Sequence, residues 1–425
     1  MSRLALIIPG SLRNTLIEEL PLRPNGGVGR GSSDTSPAGT NLERGSLHNQ
    51  RVVLQAIRAN DRITVAELAR LTGLTSTGIS AIIRRQLEEG LIREVGRIQG
   101  ARGQPAMRYS VNADGAFSLG VNLDRDHVTL IGLDLAGATR WRSSLEVSFP
   151  PYEEVRGFIR QSIEDLRRDG GIAFDRIIGI GVAVPDELGA VALPDPPAGY
   201  TDWSNVDFKS LMNEVLPGIS VHVENDAYAA AVGEMHFGYG LTNPNFFYLL
   251  VSVGLGGSMV LNGTPIAGAT ARAGEIGHLV LRRPKGATLG SIVSLAGLYQ
   301  FLRGTGHAAK SVSDLRNLGD ASLAVARGWL MTAAEVLEDP LVLINLTLNP
   351  AAFYIGGRLP DPLIEELAAE LNARLRRHAA AAPHMAPVLR AALATDAAAV
   401  GAAILPFSDQ LLPSRTFVGS VFAAG

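Results

Sequence analysis

From about residue 117 onward, short apolar runs alternate with amphipathic segments, and this alternation restricts the fold more than any other feature. The apolar runs suit buried strands, and the amphipathic segments repeat their apolar residues at helical spacing. Predicted strands occupy Leu119–Leu123, Val128–Leu133, Ile177–Val184, Val221–Val223, Phe247–Val253 and Ser258–Leu261, and predicted helices occupy Tyr152–Arg168, Asp226–Phe237, Leu323–Leu337 and Pro362–Ala381. This order predicts an α/β body, and a strand–turn–strand unit that occurs at 119–133 and again at 247–261 suggests two related lobes.

The 425 residues exceed one average domain, and the chain divides into segments of different character. Residues 1–45 are rich in glycine and lack periodic apolar residues, so we expect most of this arm to be disordered. Residues 46–112 predict helix, helix, helix and a hairpin. Residues 113–425 form the body, with a first lobe at about 117–236 plus a C-terminal helix and a second lobe at about 237–400.

Charge is distributed unevenly between these segments. The whole chain carries a formal charge of -3, but residues 46–112 contain ten arginines, no lysine and five acidic residues. This segment is therefore +5 and the remainder of the chain is -8. A basic domain on an acidic body is expected when only one domain contacts DNA, although a solvated arginine-rich surface would give the same count.

The basic segment has the helix boundaries of a helix-turn-helix. Thr64 and Glu67 fit a capping box at the start of one helix, and Gly73 suits the end of that helix. Thr75 can cap the next helix, which repeats its isoleucines and leucine at core spacing. Two short helices joined by a glycine turn, the second with a polar and arginine-bearing face, predict a helix-turn-helix.

Two alternating segments, 91–95 and 107–111, follow the second helix and predict the strands of a wing. The candidate DNA-contacting residues are Ser76, Thr77, Ser80, Arg84 and Arg85 on the outward side of the helix, and Arg97 and Arg102 in the loop of the wing. Guanidinium groups on such a loop can contact phosphates or a narrow minor groove. The alternative is an ordinary three-helix satellite with a hairpin, and the charge of the segment argues against it.

Cysteine is absent from the chain, which excludes disulfides and thiolate metal ligands. The apolar run near the N-terminus stops at Pro9, too early for an export signal, and the longest apolar stretch, 246–261, is shorter than a membrane-spanning helix. We therefore expect a soluble protein of the bacterial cytoplasm and nucleoid with no membrane partner.

Five short stretches follow the predicted winged helix in the body: Leu119-Gly120-Val121-Asn122, Gly179-Ile180-Gly181-Val182-Ala183-Val184-Pro185, Glu224-Asn225-Asp226-Ala227, Gly274-Glu275-Ile276-Gly277-His278 and Ile355-Gly356-Gly357. With these stretches and His48-Asn49-Gln50-Arg51, residues 40–410 resemble the ROK family (repressors, open reading frames and sugar kinases), and within it the repressors of N-acetylglucosamine and xylose genes. The resemblance implies an actin-like, ribonuclease-H-like pair of lobes with a sugar in the cleft.

The polar residues of these stretches are the candidate sugar ligands. Asn225 and Asp226 follow a short strand and begin a helix, where ligands of α/β proteins bind, and their amide and carboxylate groups suit vicinal hydroxyls. From the residues alone, Asp226 could instead be the cap of the helix. The resemblance implies that Asn225, Asp226, Glu275 and His278 bind sugar hydroxyls, and that the aspartate is the catalytic base in the kinases of the family.

The residues of kinase chemistry depart from the family pattern. Where the family's kinases have Asp-x-Gly-x-Thr for the ATP phosphates, this chain has Asn122-Leu123-Asp124-Arg125-Asp126. Its two carboxylates would repel phosphate, by about 4 kcal/mol for a unit like-charge pair 4 Å apart near a surface. In the second phosphate turn, Leu255 stands where a hydroxyl is expected. We therefore expect no ATP as cofactor and no enzyme activity.

The resemblance also implies a structural zinc site in many relatives, where the histidine of the Gly-Glu-Ile-Gly-His stretch joins three cysteines just downstream. Residues 281–294 contain no cysteine, so we expect no zinc and no other metal. The sequence does not indicate what holds His278 in place of the metal.

Together these features predict a sugar-responsive transcriptional regulator that binds operator DNA. We expect a repressor of carbohydrate transport and catabolism genes that a monosaccharide or a sugar derivative releases, acting as a homodimer or a dimer of dimers. The alternatives are an ATP-dependent sugar kinase with a DNA-binding appendage, and a DNA-binding protein whose body only dimerises.

Overall fold

The structure, a computed structural model, describes residues 42–98, 106–147, 149, 151–169, 171–186, 188–190, 199–378, 384–393 and 396–413. The predicted disorder of residues 1–41 lies outside these residues. Helix α1 begins at Leu42, inside the predicted arm, because Leu42, Glu43 and Arg44 are good helix formers.

The N-terminal segment 42–111, called the head below, is a winged helix-turn-helix. Its elements are α1 (Leu42–Ala59), β1 (Ile63–Thr64), α2 (Val65–Thr72), α3 (Ser76–Glu88), β2 (Ile92–Ile98) and β3 (Ala106–Val111). The three strands form an antiparallel sheet in the order β1-β3-β2. The capping box of Thr64 and Glu67 is confirmed, Gly73 ends α2 with φ of 70°, and Thr75 caps α3.

The first lobe is built on a five-stranded sheet in the order β6-β5-β4-β7-β8. Its elements are β4 (Phe117–Leu123), β5 (His127–Asp134), β6 (Thr139–Glu146), α4 (Tyr152–Asp169), β7 (Ile177–Val184), α5 (Phe208–Val215), β8 (Ser220–Asn225) and α6 (Asp226–Phe237). Strands β4, β7 and β8 are parallel, and β4, β5 and β6 form an antiparallel meander. The carboxyl ends of β4, β7 and β8 therefore meet at one edge of the sheet.

The second lobe repeats this topology with a sheet in the order β11-β10-β9-β12-β13. Its elements are β9 (Phe246–Val251), β10 (Leu255–Leu261), β11 (Thr264–Pro265), α7 (Leu289–Ile292), α8 (Leu295–Gly304), α9 (Val312–Arg316), α10 (Asp320–Leu348), β12 (Ala352–Gly357), α11 (Asp361–Leu375) and β13 (Val388–Arg390). Again an antiparallel meander precedes parallel strands. The two related lobes predicted from the repeated strand–turn–strand unit are present.

Two helices of the second lobe differ in length from their predictions. Helix α10 continues past Pro340 to Leu348, although proline usually ends a helix. The flanking Leu337 and Leu341 are fully buried in the core of the lobe, and this burial offsets the lost backbone hydrogen bond. Helix α11 ends at Leu375, earlier than predicted, and a short 3-10 turn follows it.

The last helix, α12 (Ala397–Gln410), packs on α6 and on the sheet of the first lobe. Glycines permit a very close approach. A Cβ atom on Gly401 would lie 1.6 Å from the carbonyl oxygen of Ala229, and one on Gly181 would lie 1.9 Å from that of Ala402. Helices α6 and α12 and the sheet are therefore packed as one unit, because any larger side chain at these positions would clash with backbone.

The head shares a hydrophobic core with the first lobe. Leu54 and Ile57 of α1 belong to the same buried cluster as Ile131, Leu133 and Phe407. This continuous core fixes the head against the end of the body at which α6 terminates. Within the described residues, no helix combines the length and the apolar composition that crossing a membrane requires.

Candidate functional site

The junction of β8 and α6 carries the first pair of candidate sugar ligands. Asn225 is the last residue of β8, and its Oδ1 accepts a hydrogen bond from the backbone N–H of Tyr228 at 3.0 Å. The open alternative that Asp226 caps the helix is therefore wrong, because Asn225 is the cap. Asp226 is the first residue of α6, and its Oδ1 accepts the N–H of Ala227 at 2.7 Å.

Asp226 lies at the boundary between the lobes and is only 6% exposed. The helix start packs directly on the second lobe, since a Cβ atom on Gly256 of β10 would lie 2.7 Å from Cβ of Ala227. Burial and the negative charge of Asp124 together raise the pKa of Asp226 to about 7, although the charge of Arg125 opposes the rise. Near neutral pH this carboxyl can both donate and accept a hydrogen bond, as recognition of a hydroxyl requires.

The Gly-Glu-Ile-Gly-His stretch packs directly against the backbone of strand β10. A Cβ atom on Gly274, which has φ of 100°, would lie 2.2 Å from the carbonyl oxygen of Gly257. One on Gly277 would lie 2.2 Å from that of Leu255. The glycines are required because the stretch contacts the backbone of the strand, and its last three residues, Ile276–His278, form a short 3-10 helix.

This stretch presents the second pair of candidate ligands. His278 Nε2 lies 3.7 Å from Glu275 Oε2, and the imidazole is well exposed. Burial and the neighbouring carboxylate of Asp186 raise the pKa of Glu275. The charge of Glu275 also contributes to the raised pKa of Asp226, so the two halves of the predicted site share one electrostatic environment.

The loop that follows His278 is held by hydrogen bonds and apolar packing. Leu281 N–H bonds to the carbonyl of Ala287 at 2.8 Å, and Leu289 N–H bonds to that of Leu279 at 2.8 Å. Thr288 forms a capping box at the start of α7. Leu289 and Val293 are then buried completely in the core of the second lobe, so hydrogen bonds and apolar packing anchor the loop.

Helix α3 exposes the face predicted to contact DNA. Ser76, Thr77, Ser80, Arg84 and Arg85 are all exposed. Arg85 Nε bonds to Glu89 Oε1 at 2.8 Å, which neutralises part of its charge. Arg97 was predicted in the loop of the wing but lies on β2, which continues to Ile98, and it is exposed there. Arg102 lies outside the described residues. Arg84 and Arg97 are further exposed cations of this surface.

Comparison with known proteins identifies both parts of the chain. Residues 118–408 match the model of the ROK family, and residues 47–93 match a model of a winged helix-turn-helix DNA-binding domain. The chain belongs to the ROK family. This ROK protein is 27% identical over 369 residues to the uncharacterized protein y4fQ of Sinorhizobium fredii, across 84% of this chain and 90% of that protein.

Other relatives include repressors and kinases. The xylose repressor of Bacillus subtilis is 26% identical over 236 residues, across 55% of this chain and 60% of the repressor, so the match spans less than two thirds of its length. A solved ROK family transcriptional regulator, a homolog of the E. coli MLC protein, has a TM-score of 0.63 at 19% identity, across 89% of this chain and 97% of its own. A ROK family glucokinase from Streptomyces griseus, solved with glucose and AMPPNP, has a TM-score of 0.54 at 21% identity, across 68% of this chain and 99% of its own. These structures show the shared fold.

Two polar residues that were not predicted from the sequence, Asp186 and Arg272, lie beside the candidate ligands. Asp186, which follows β7, lies between Glu275 and Arg272, and Arg272 Nε is 3.4 Å from Asp186 Oδ2. Asp186 stands at the same carboxyl edge of the sheet as Asp226. The rule that ligands bind at this edge would have indicated Asp186, whereas no local pattern indicates Arg272.

Proposed function

We propose that this ROK protein is a sugar-responsive DNA-binding transcriptional regulator, and that it represses genes of carbohydrate transport and catabolism until a monosaccharide or a sugar derivative releases it from operator DNA. The observation that carries the proposal is the placement of helix α6. Its first residue, Asp226, lies in the cleft between the lobes, and its last residue, Phe237, contacts the head.

The contact between Phe237 and the head is well defined. The guanidinium of Arg58, on α1, lies 4.5 Å from the centroid of the Phe237 ring, and its Nε donates to the carbonyl of Leu135 at 3.0 Å. Burial lowers the pKa of Arg58 to about 10, and the charge of Asp134 partly opposes this. The half-buried Arg58, which also donates from Nη1 to Gln55 Oε1 at 3.4 Å, would respond to displacement of the ring or of the carbonyl.

Helix α6 can therefore transmit a change from the cleft to the head. Its 12 residues span about 18 Å, and its packing on α12 through Gly401 favours movement as a rigid body. A sugar that bonds to Asp226 on the first lobe and to His278 on the second would change the angle between the lobes. Coupling energies of this kind are typically about 1–3 kcal/mol, provided that the sugar binds one state more tightly.

We propose a homodimer as the DNA-binding species, because a winged helix recognises one half-site and a two-fold dimer recognises two. A change in the lobe angle would then alter the distance between the two heads. Relatives named xylose repressors and the glucokinase solved with glucose direct the first tests to pentoses and hexoses.

A sugar kinase is the second candidate, because the buried Asp226, with its pKa raised to about 7, would suit a general base. Against it, the turn between β4 and β5 presents Asp124 and Asp126, and Arg125 covers the glycine turn between β9 and β10. We therefore propose that the protein is not an enzyme. A coupled assay of ATP consumption with each sugar distinguishes the two candidates. Sugar-dependent turnover that is lost in Asp226→Asn would establish the kinase.

The proposed function is tested in two steps. Sequencing the genomic fragments that the purified protein retains gives the operator, and we expect fragments beside carbohydrate transport genes. Thermal shift with a panel of pentoses, hexoses and N-acetylated hexosamines then gives the effector. His278→Ala should abolish the shift, whereas the control Arg327→Ala, on the outer surface of the second lobe, should preserve it. A panel that changes neither melting temperature nor operator affinity would refute the proposal.

A further inference from the structure

The turn between β4 and β5, residues 124–126, connects the two lobes through charged side chains. Arg125 belongs to the first lobe, and its side chain crosses to the glycine turn between β9 and β10 of the second lobe. A Cβ atom on Gly254 would lie 2.8 Å from Nη2 of Arg125, so the guanidinium rests directly on that turn. Asp124, which is buried, accepts from Arg125 Nε at 3.3 Å and from its backbone N–H at 2.7 Å.

A second arginine crosses in the opposite direction. Arg358 follows β12 of the second lobe, and its backbone N–H donates to the carbonyl of Val251 at 2.9 Å. Its side chain, 5% exposed, forms an ion pair with Asp126 Oδ2 at 2.8 Å and another with the carboxylate of Glu146. Both acidic partners belong to the first lobe. Each lobe thus places one arginine on the other, beside the same three-residue turn.

The remaining polar groups of the turn hold Asp126 in place. His127 Nδ1 lies 2.7 Å from Asp126 Oδ1, and Asn122 Nδ2 lies 3.0 Å from His127 Nε2. With Nδ1 protonated, the imidazole donates to the carboxylate and accepts from the amide. Both oxygens of Asp126 are therefore in contact with a partner, Oδ1 through a hydrogen bond within its own lobe and Oδ2 through an ion pair with the other lobe.

The ion pairs of Arg125 and Arg358 already occupy the carboxylates that a metal ion would need as ligands. One ligand atom each from Asp124, Asp126 and His127 lie within 4.8 Å of one another, a spacing that could hold a metal ion. Arg125 and Arg358 already supply the positive charge to Asp124 and Asp126. A metal ion that bound there would therefore compete with the guanidinium groups for these buried carboxylates.

We propose that Arg125 and Arg358, with Asp124, Asp126 and Glu146, form a clasp that joins the two lobes, and that this clasp positions Asp226 for the effector without any nucleotide or metal ion. The two arginines are positioning residues, because they act on the cleft through the carboxylates and the turns that they join. Arg125 rests on Gly254, and Gly256, two residues further on, packs against Ala227 beside Asp226, which links the clasp to the effector site. The part that concerns the effector rests on the proposed function.

The clasp is tested first on its own, without sugar. Hydrogen–deuterium exchange of the segment 251–258 is compared in the wild type, Arg358→Ala and the control Arg327→Ala, which removes an exposed ion pair to Glu366 within the second lobe. We expect exchange on the order of tenfold faster in Arg358→Ala and no change in the control. Arg358→Lys, which keeps the charge, should recover part of the protection. If Arg358→Ala does not fold, Asp126→Asn takes its place.

The second test concerns ligand binding, with D-xylose, D-glucose and N-acetylglucosamine as probes. Wild-type affinity for the sugar that binds should change by less than about twofold with EDTA or with magnesium and ATP, whereas Arg358→Ala should weaken it by on the order of tenfold. Two results would overturn the clasp. One is loss of sugar binding in EDTA, and the other is hydrogen–deuterium exchange in Arg358→Ala and Asp126→Asn that equals exchange in the wild type. If no sugar binds the wild type, the proposed function fails, and the exchange experiment still decides the clasp.

Discussion

Replacing Asp226 by asparagine should make the protein more stable at alkaline pH while removing its response to sugar. Asparagine has nearly the same shape and keeps the oxygen that accepts the N–H of Ala227. It removes an ionisable group from a site that is 6% exposed and lies beside other carboxylates. A variant that is more stable but no longer responds to sugar would show that Asp226 serves binding and not stability. Active sites often retain groups that lower the stability of the fold.

The magnitude follows from the difference between the pKa of Asp226 in the folded and unfolded chains. The folded pKa is about 7, against 3.8 for an unperturbed aspartate. Below about pH 4 both states are protonated, and ionisation costs no stability. As pH rises toward 7, the unfolded state loses its proton while the folded state keeps it, so the free energy of unfolding decreases. At about 1.4 kcal/mol per pKa unit, the full cost is roughly 4 kcal/mol above pH 7.

The assay is the melting temperature of the wild type and Asp226→Asn at pH 5 and at pH 8. We expect the melting temperature of the variant to exceed that of the wild type by several degrees more at pH 8 than at pH 5. The reason is that 1 kcal/mol corresponds to roughly 2–4 °C in a domain of 150–250 residues. Asp175→Asn, at an exposed position, is the control and should give no such trend. If the difference in melting temperature between Asp226→Asn and the wild type were the same at pH 5 and pH 8, ionisation of Asp226 would not cost stability.

Four further predictions concern DNA and coupling. His278→Ala should bind the operator as the wild type does but should no longer be released by sugar, and a gel-shift titration with sugar checks this; continued release would exclude His278 from the site. Arg84→Ala should weaken operator binding and reduce the slope of log affinity against log salt by about 1, as fluorescence anisotropy measures. Arg85→Ala should have a smaller effect because Arg85 is paired with Glu89, and a larger loss than for Arg84→Ala would contradict that interpretation. Phe237→Leu should leave sugar affinity unchanged in calorimetry but bring operator affinities with and without sugar closer together, and full retention of the sugar effect would show that α6 is not the route.

The parts of the fold predicted from sequence are those that depend on neighbouring residues. The head was predicted because Thr64, Gly73 and Thr75 mark helix ends through contacts within a few positions. The β8–α6 junction was located for the same reason. The choice of Asn225 over Asp226 as the cap was open, since either side chain suits that position and a shift of one residue decides it.

Contacts between distant segments could not be predicted in this way. Arg358 and Glu146 are 212 positions apart, and Arg142 and Asp396 are 254 apart. Nothing local to Arg358 distinguishes it from a surface arginine, because its burial results from the packing of two lobes. The anchoring of residues 281–294 was unpredicted as well, since Leu289 and Val293 become core residues only once α8 and α10 surround them.

One sugar-binding cleft should control operator binding by the winged helix. The most direct test is the operator dissociation constant of the wild type and of Asp226→Asn, each with and without a saturating sugar identified by thermal shift. We predict that the sugar weakens wild-type binding by about 5–150-fold. We predict equal constants for Asp226→Asn, which should bind the operator as tightly as the free wild type. A sugar that binds the wild type yet leaves its operator affinity unchanged would contradict the account.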